Sequence, residues 1–233
     1  MKENVGYCVI CETDTIFIEH DDWLRDHYLC GKCKSIPRQR AIINALNYFV
    51  PQWRNMTIHE SSPCGAASDF IMKICHNYSF SFFFPNQKIG VTYNGIRCED
   101  LERLTFKNER FDIFITQDVL EHVMKPKLAF RQIKRVLKYG GYHIFTIPWY
   151  PDNIKSKQRA IIKNGKLQHL DKPLYHGNPI DSSGSLVVYE YGADLVDQIY
   201  RSTKMSTIVY LCRDRTLGLD GKFLEVFISR KIN

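Results

Sequence analysis

A strand, a helix and a second strand, predicted between residues 111 and 149, constrain the fold more than any other feature of the 233-residue chain. Residues 111–116 form an apolar run that ends in polar Gln117 and Asp118, which is typical of a buried parallel strand. A helical pattern follows, with Pro126 in its first turn and one apolar face made by Ala129, Ile133, Val136 and Leu137. Two adjacent glycines are expected to end this helix before a second apolar run at 142–148. Such a unit is typical of α/β proteins, which bind ligands at the carboxyl ends of their strands.

The motifs FDIFITQDVLEHV and RQIKRVLKYGGYHIFTIPWY in this region resemble the central part of class I S-adenosylmethionine (SAM)-dependent methyltransferases. In that family a polar strand end precedes "LEHV", and "RVLKPGG" leads into a strand that ends in Pro. Tyr139 replaces the usual Pro of the second motif. The resemblance extends over roughly the whole chain after residue 55. It implies a Rossmann-like, doubly wound and mostly parallel sheet with an antiparallel last strand, and it implies SAM as the cofactor.

Four of the eight cysteines form a C-x2-C-x18-C-x2-C pattern, made by Cys8, Cys11, Cys30 and Cys33. Cysteines two residues apart can direct both sulfurs at one point, and four thiolates satisfy tetrahedral zinc without an open position. The pattern therefore predicts a structural zinc site, with redox cysteines or an iron centre as the alternatives. A Cys-rich start also matches a branch of the methyltransferase family that carries a zinc ribbon.

We expect two units, a zinc ribbon at 1–36 and a methyltransferase domain at 37–233 with a lid or insertion at about 150–185. A zinc ribbon is often a nucleic-acid module, and basic residues lie nearby: Lys32, Lys34, Arg38 and Arg40. However, the ribbon leads directly into a helix that begins near Pro37 and is expected to pack against the catalytic domain. The net charge of +7 is also spread along the chain, which is typical of a solvated basic surface. Nucleic acid is therefore not the expected partner.

The resemblance assigns the cofactor to three strand ends. The loop after the first strand would contribute Glu60, Ser62 and Gly65, although it has a single glycine where the family usually has several. Asp100 and Leu101 would meet the adenine, and Gln117 and Asp118 would complete the cofactor site, with the substrate as the alternative ligand of Asp118. The second strand ends without an acidic residue, so the sequence offers no candidate for the ribose hydroxyls.

The predicted lid and the end of the fifth strand, the apolar run at 142–148, supply the candidates for the methyl acceptor. Loops of this length in compact domains usually have a function. The segment contains the "YHGNP" and "GSLV" motifs of the resembling branch, and the proposed substrate residues are Trp149, Tyr150, Tyr175 and Asn178. Histidine titrates near neutrality, so His176, and after it His122, are the candidates for the base that removes the acceptor proton.

The sequence therefore predicts a SAM-dependent methyltransferase that acts on a hydroxyl or amine of a small-molecule acceptor by in-line displacement. The resemblance points to sugar-related acceptors and polysaccharide biosynthesis. The alternative is an inactive methyltransferase-like protein whose ribbon binds RNA or a protein partner. The sequence has no apolar run of membrane-spanning length, so we expect a cytoplasmic protein without a membrane partner. The pattern favours no particular oligomeric state.

Overall fold

The amino-terminal part of the chain forms a small antiparallel sheet. The structure is a computed structural model and describes residues 2–177 and 183–232. The amino-terminal part contains β1 (Lys2–Cys8), β2 (Thr13–Glu19), the short helix α1 (Leu24–His27) and β3 (Tyr28–Cys30). Phe17 of β2 and Tyr28 of β3 are fully buried and contact each other. The turn between β1 and β2 and the segment after β3 lie at the same end of this sheet and bring the four predicted zinc ligands together.

A first series of alternating strands and helices follows the ribbon. Its elements are α2 (Pro37–Phe49), β4 (Ile58–Ser61), α3 (Ala66–Ile74), β5 (Tyr78–Phe82), β6 (Thr92–Tyr93), β7 (Ile96–Cys98), β8 (Phe111–Gln117), α4 (Pro126–Val136) and β9 (Leu137–Thr146). The helix predicted after Pro126 is present, but β9 begins before Gly140. Leu137 already pairs with Phe111 of β8, and both side chains are buried. Strand pairing therefore ends α4 before the glycines are reached.

The predicted lid and the residues on either side of it contain short strands. They are β10 (Trp149–Tyr150), β11 (Lys157–Gln158), β12 (Ala160–Lys163), β13 (Lys166–His169), β14 (Tyr175–His176), β15 (Ser185–Leu186) and β16 (Tyr189–Gly192). β12 and β13 form a hairpin, and β14 pairs with β15. The chain ends with α5 (Leu195–Thr203), β17 (Ser206–Tyr210) and β18 (Val226–Arg230).

The central sheet has eight strands in the order β17-β18-β9-β8-β4-β5-β7-β6. The strands from β9 to β7 run parallel, while β18 is antiparallel to both of its neighbours. This arrangement confirms the predicted fold class of a doubly wound, mostly parallel sheet with an antiparallel last strand. The first strand of this sheet in chain order, β4, begins at Ile58.

Alternate residues of the central strands pack against helices on opposite faces of the sheet. Ile113 and Ile115 of β8 join the cluster beneath α2 and α3, whereas Phe114 joins the cluster beneath α4 and α5. Phe111 also belongs to the second cluster, because the pairing register shifts between Phe111 and Ile113. A strand buried on both faces reads as a continuous apolar run, which explains the clarity of the 111–116 pattern. No helix in the described ranges is both long and apolar enough to cross a bilayer.

Arg40 of α2 ties the ribbon to the carboxyl-terminal part of the chain. Its guanidinium is fully buried and donates hydrogen bonds to the backbone carbonyls of Tyr28, Ser35 and Gly218. It also stacks on the Phe17 ring, with 4.7 Å between the guanidinium carbon and the ring centroid. Burial lowers the pKa of Arg40 to about 10, so the group stays charged at neutral pH. The basic residue next to the ribbon is therefore a structural link and not part of an exposed basic surface.

Candidate functional site

A cavity of about 1190 Å³ lies at the carboxyl ends of the parallel strands. Its floor includes residues that follow β4, β5, β7 and β8, which is the usual ligand-binding edge of an open α/β sheet. Trp23 and Arg25 of the ribbon and Arg38 of α2 form one wall. The segment after β10 forms another wall through Ile161, Ile162 and His176, among other residues. Thus both the ribbon and the 150–185 segment cover the cavity.

The loop after β4 shapes one end of the cavity. Ser62, with φ of 56°, lines the cavity, and Gly65, with φ of 80°, precedes the first turn of α3. Gly65 does not line the cavity. A Cβ there would lie 1.9 Å from the Nε2 atom of Gln39, so α2 packs directly on this loop. The single glycine is required by a positive φ and by this close contact.

Glu60 is buried beneath the loop and does not face the cavity. Its carboxylate accepts hydrogen bonds from Ser68 at 2.8 Å, Tyr78 at 2.8 Å and Gln117 at 2.7 Å. Burial raises the pKa of Glu60, and these hydrogen bonds oppose the shift. Because Gln117 Nε2 donates to Glu60, the orientation of the Gln117 amide is fixed. Its Oε1 atom is buried and has no hydrogen-bond partner within the described part of the chain.

Asp100 and Leu101, which follow β7, line the cavity near Phe82 at the end of β5. The Asp100 carboxylate accepts a hydrogen bond from the backbone N–H of Glu102 at 2.9 Å and another from Arg103 Nε at 2.9 Å. These two bonds leave lone pairs free for a ligand, since an ionised carboxylate has about four acceptor positions. The turn therefore holds Asp100 in a fixed orientation at the cavity.

Asp118 lies at the end of β8 and faces two arginines from the amino-terminal part of the chain. Its carboxylate forms ion pairs with Arg25 and, at 3.3 Å, with Arg38, and it accepts a hydrogen bond from Thr146 Oγ1 at 2.9 Å. Burial alone would raise the pKa of Asp118, but Arg38 and Arg25 lower it below its ordinary value. The sequence assigned Asp118 to the cofactor. The structure places it in the cavity lining with both of its oxygens already in contact with these groups.

His122 and His176 come together at the part of the cavity under the 150–185 segment. Their rings meet edge to face, with 5.5 Å between centroids. His122 Nδ1 lies 2.8 Å from the carbonyl oxygen of Leu186. Glu121 is buried behind the pair, within 4 Å of a ring nitrogen of each histidine. Tyr150 also lines the cavity, in edge contact with Phe223.

Two further substrate candidates lie away from the cavity lining. Trp149 donates its indole N–H to the Gly192 carbonyl at 2.8 Å and packs edge-on against Phe227. Tyr175 is about half exposed and pairs with Leu186 across β14 and β15. Asn178 lies outside the described residues.

The four ribbon cysteines form a cluster that fits a tetrahedral metal. All four sulfurs lie within 4.8 Å of one another, and the pairs Cys8–Cys33 and Cys11–Cys30 are both 3.8 Å apart. Sulfurs bound to one zinc ion at about 2.3 Å in a regular tetrahedron would be about 3.8 Å apart. A hydrogen bond with Cys8 lowers the pKa of the Cys33 thiol, which favours the thiolate form that binds a metal. The residues present therefore fit the predicted zinc site.

Sequence reasoning missed Arg25, Arg38 and Glu121. Arg25 lies between the two cysteine pairs, where no pattern indicates contact with a strand end more than ninety residues away. Arg38 was grouped with the basic residues of the ribbon. Glu121 directly precedes His122 in the "LEH" motif, and its position after a buried strand could have marked it as a buried acid.

The comparisons with known proteins agree with this architecture. A family model described as a methyltransferase domain matches residues 84–145. An uncharacterized protein of Methanocaldococcus jannaschii is 31% identical over 129 residues, which is 55% of this chain and 57% of that protein. A ubiquinone biosynthesis O-methyltransferase of Coxiella burnetii is 28% identical over 79 residues, covering 34% of this chain and 30% of the relative. The chain thus spans less than two thirds of either relative.

Among solved structures, SAM-bound CalS10, an amino pentose methyltransferase of Micromonospora echinaspora, matches with a TM-score of 0.53. The match has 10% sequence identity and covers 83% of this chain and 91% of that chain. It shows the fold: the central domain has the architecture of a class I SAM-dependent methyltransferase. Together with the family match, it supports a methyltransferase domain in this chain.

Proposed function

We propose that the protein is a SAM-dependent methyltransferase that acts on a hydroxyl or amine of a small-molecule, sugar-related acceptor. The observation that carries the proposal is the cavity at the strand ends, where Ser62, Asp100, Leu101 and Gln117 converge in the fold of a class I methyltransferase. The relatives support this reading, because one is an O-methyltransferase and the structural neighbour acts on an amino pentose. The cytoplasmic location, the role in polysaccharide assembly and the division at residue 36 stay predictions.

The residues at the loop after β4 and at the ends of β7 and β8 fit SAM. Gln117 Oε1, a buried acceptor without a partner in the described ranges, suits the ammonium of the methionine part. Ser62 and Gly65 shape the loop beside it, and Glu60 fixes Gln117 from below. Asp100 would accept from the adenine amino group, with Leu101 against the ring. When bound, SAM supplies an activated methyl group.

The acceptor is proposed to lie between the ribbon and the 150–185 segment. Tyr150, His122 and His176 line that part of the cavity, and Arg25 and Arg38 also line the cavity. Alignment of the acceptor oxygen or nitrogen with the methyl carbon is the main requirement of an in-line displacement. The acceptor must also lose a proton, and we assign this step to His176 and His122. Tyr175, Trp149 and Asn178 stay candidate acceptor residues, of which Trp149 and Tyr175 would act from outside the cavity lining.

Calorimetric titration of S-adenosylhomocysteine into zinc-loaded protein tests the cofactor site. We expect micromolar binding by the wild type and at least tenfold weaker binding by Asp100→Ala. Asp197→Ala is the matched control, because that carboxylate lies on α5 and pairs with Arg201. Absence of binding by a folded, zinc-loaded wild type would refute the enzyme proposal and favour the RNA- or protein-binding alternative. With binding established, transfer of labelled methyl groups to a panel of sugars and sugar nucleotides tests the acceptor class.

A further inference from the structure

Glu121 is a buried carboxylate, and the charge of Arg25 acts on it only from beyond ion-pair distance. Its side chain is 1% exposed, and neither oxygen has a hydrogen-bond partner in the part of the chain that the structure describes. Its nearest basic groups there are two histidine nitrogens, His176 Nδ1 at 3.6 Å and His122 Nε2 at 3.8 Å from Oε1. Both distances exceed the length of a hydrogen bond. Burying an unpaired charge costs a large amount of free energy, so a cation or a proton is expected between the three groups.

The contact between His122 and the Leu186 carbonyl determines which ring nitrogen of His122 carries the proton. A backbone carbonyl can only accept, so the contact of 2.8 Å to Leu186 requires the proton on Nδ1. In the neutral ring, Nε2 then presents a bare lone pair towards Glu121. Metal-ligating histidines typically have this arrangement, with the second ring nitrogen donating to a carbonyl that fixes the tautomer. The backbone around Glu121 is also held, since its carbonyl accepts from Val188 N–H at 2.7 Å.

We propose that Glu121, His122 and His176 bind a divalent transition-metal ion at the acceptor side of the cavity. One ligand atom from each residue lies within 4.8 Å of the other two. Ligands at about 2.1 Å from a tetrahedral ion would be about 3.4 Å apart. The two histidine–glutamate pairs, at 3.6 and 3.8 Å, need to close by only a few tenths of an ångström. Two imidazoles and one carboxylate suit Zn²⁺, Fe²⁺ or Mn²⁺ and leave coordination positions open to the cavity.

The ion would give the two histidines their role in proton removal, a step that rests on the proposed methyl transfer. An acceptor hydroxyl bound at an open position becomes more acidic and releases its proton to water. The oxygen then attacks the methyl carbon, a new C–O bond forms, and the carbon–sulfur bond breaks with its electron pair going to sulfur. S-adenosylhomocysteine is the leaving group. The histidines would thus carry out the proton removal assigned to them above as ligands of the ion that acidifies the acceptor.

Titration of Mn²⁺ into zinc-loaded protein, followed by loss of the electron paramagnetic resonance signal of the free aqua ion, tests the site. Mn²⁺ favours nitrogen and oxygen over thiolate ligands, so it leaves the four-cysteine site undisturbed. We expect one bound ion per chain in the wild type and at least tenfold weaker binding in Glu121→Gln and His176→Ala. His169→Ala, which changes an exposed histidine of β13, should bind like the wild type. The titration is repeated with Co²⁺, whose spectrum separates a nitrogen and oxygen site from a thiolate site.

The outcomes separate this proposal from the proposed function. If neither ion binds at one per chain, or if Glu121→Gln binds as well as the wild type, the metal site is wrong and the cluster is a protonated His–Glu pair. Binding of S-adenosylhomocysteine is measured on the same samples without added metal. If the protein binds S-adenosylhomocysteine but no metal, only the metal-site proposal is refuted. If it binds the metal but not S-adenosylhomocysteine, only the methyltransferase proposal is refuted. Unchanged thermal unfolding and zinc content of the variants exclude misfolding.

Discussion

Asp118 at the end of β8 forms an ion pair with Arg25 of the ribbon, and this contact joins the amino-terminal module to the floor of the cavity. Both side chains are less than one-fifth exposed. Replacement by Arg25→Met leaves Asp118 with Arg38 as its remaining arginine partner, so we expect a loss of about 1–3 kcal/mol of unfolding free energy in urea. The acceptor side of the cavity should open, with weaker substrate binding.

The Arg25→Met effect should shrink at acid pH. The pKa of Asp118 is below its ordinary value, so the pair stabilises the protein above the unfolded value near 3.9 and loses this effect as the pH falls through the folded value. In the double variant Arg25→Met with Asp118→Asn, part of the lost stability should return. Arg201→Met, which removes an exposed pair on α5, should have little effect. Equal losses from Arg25→Met and Arg201→Met would argue against a role of the buried pair.

Removal of the predicted zinc ion should disorder the wall that the ribbon contributes to the cavity. Small modules of this size bury little core, so metal binding supplies their folding free energy. We expect Cys33→Ser to lose bound zinc in elemental analysis and to bind S-adenosylhomocysteine several-fold more weakly. Cys212→Ser lies outside the cluster and should retain zinc. Full zinc content in Cys33→Ser would contradict the four-cysteine site.

Gly65→Ala should damage the loop after β4 in two ways. The positive φ of 80° strains any residue with a Cβ, and the added atom would lie 1.9 Å from Gln39 Nε2. We expect a loss of about 1–3 kcal/mol in urea unfolding, with weaker cofactor binding. Combination with Gln39→Ala removes the clash but not the strain, so it should restore only part of the stability. Full restoration would show that the backbone conformation contributes nothing.

His143 should make unfolding depend on pH in the acid range. Burial lowers the pKa of His143 to about 3, so the folded protein keeps the ring neutral while the unfolded chain takes up a proton near pH 6.5. This group's contribution is complete above pH 6.5 and is lost as the pH falls towards 3, with a slope of about 1.4 kcal/mol per pH unit. His143→Phe should reduce the slope of the unfolding free energy by that amount, whereas exposed His169→Gln should leave it unchanged.

The sequence was sufficient for the order and class of the main elements. Strands buried on both faces read as apolar runs, and the helix after Pro126 shows its face directly, because these patterns depend on local periodicity. The exact strand ends differ where long-range pairing decides them, as at Leu137, which joins β9 ahead of the glycines. The division of the 150–185 segment into short strands was also missed, because its pairs have few residues and little periodicity.

The candidate site was only partly predictable for a related reason. Asp100, Gln117, His122 and His176 follow strands or lie in recognisable motifs, and the structure places all of them at the cavity. Arg25 reaches the cavity through the docking of the ribbon, a tertiary contact that leaves no trace in local sequence. Glu60 and Gly65 support the loop from behind, because Ser68, Tyr78 and Gln39 occupy the space on their other sides.

The hydrogen bonds of Arg40 have a consequence for the order in which the chain can mature during synthesis. The Gly218 carbonyl that completes the Arg40 environment follows Arg40 by 178 residues, so it is synthesised long after the ribbon. Asn4 of β1 likewise donates to the Arg215 carbonyl. Until these late residues arrive, Arg40 is a buried cation with an incomplete set of acceptors. In a nascent chain stalled before residue 215, the ribbon should therefore be poorly packed against the rest of the protein. The protease sensitivity of such stalled chains should fall sharply once residues 215–218 have left the ribosome.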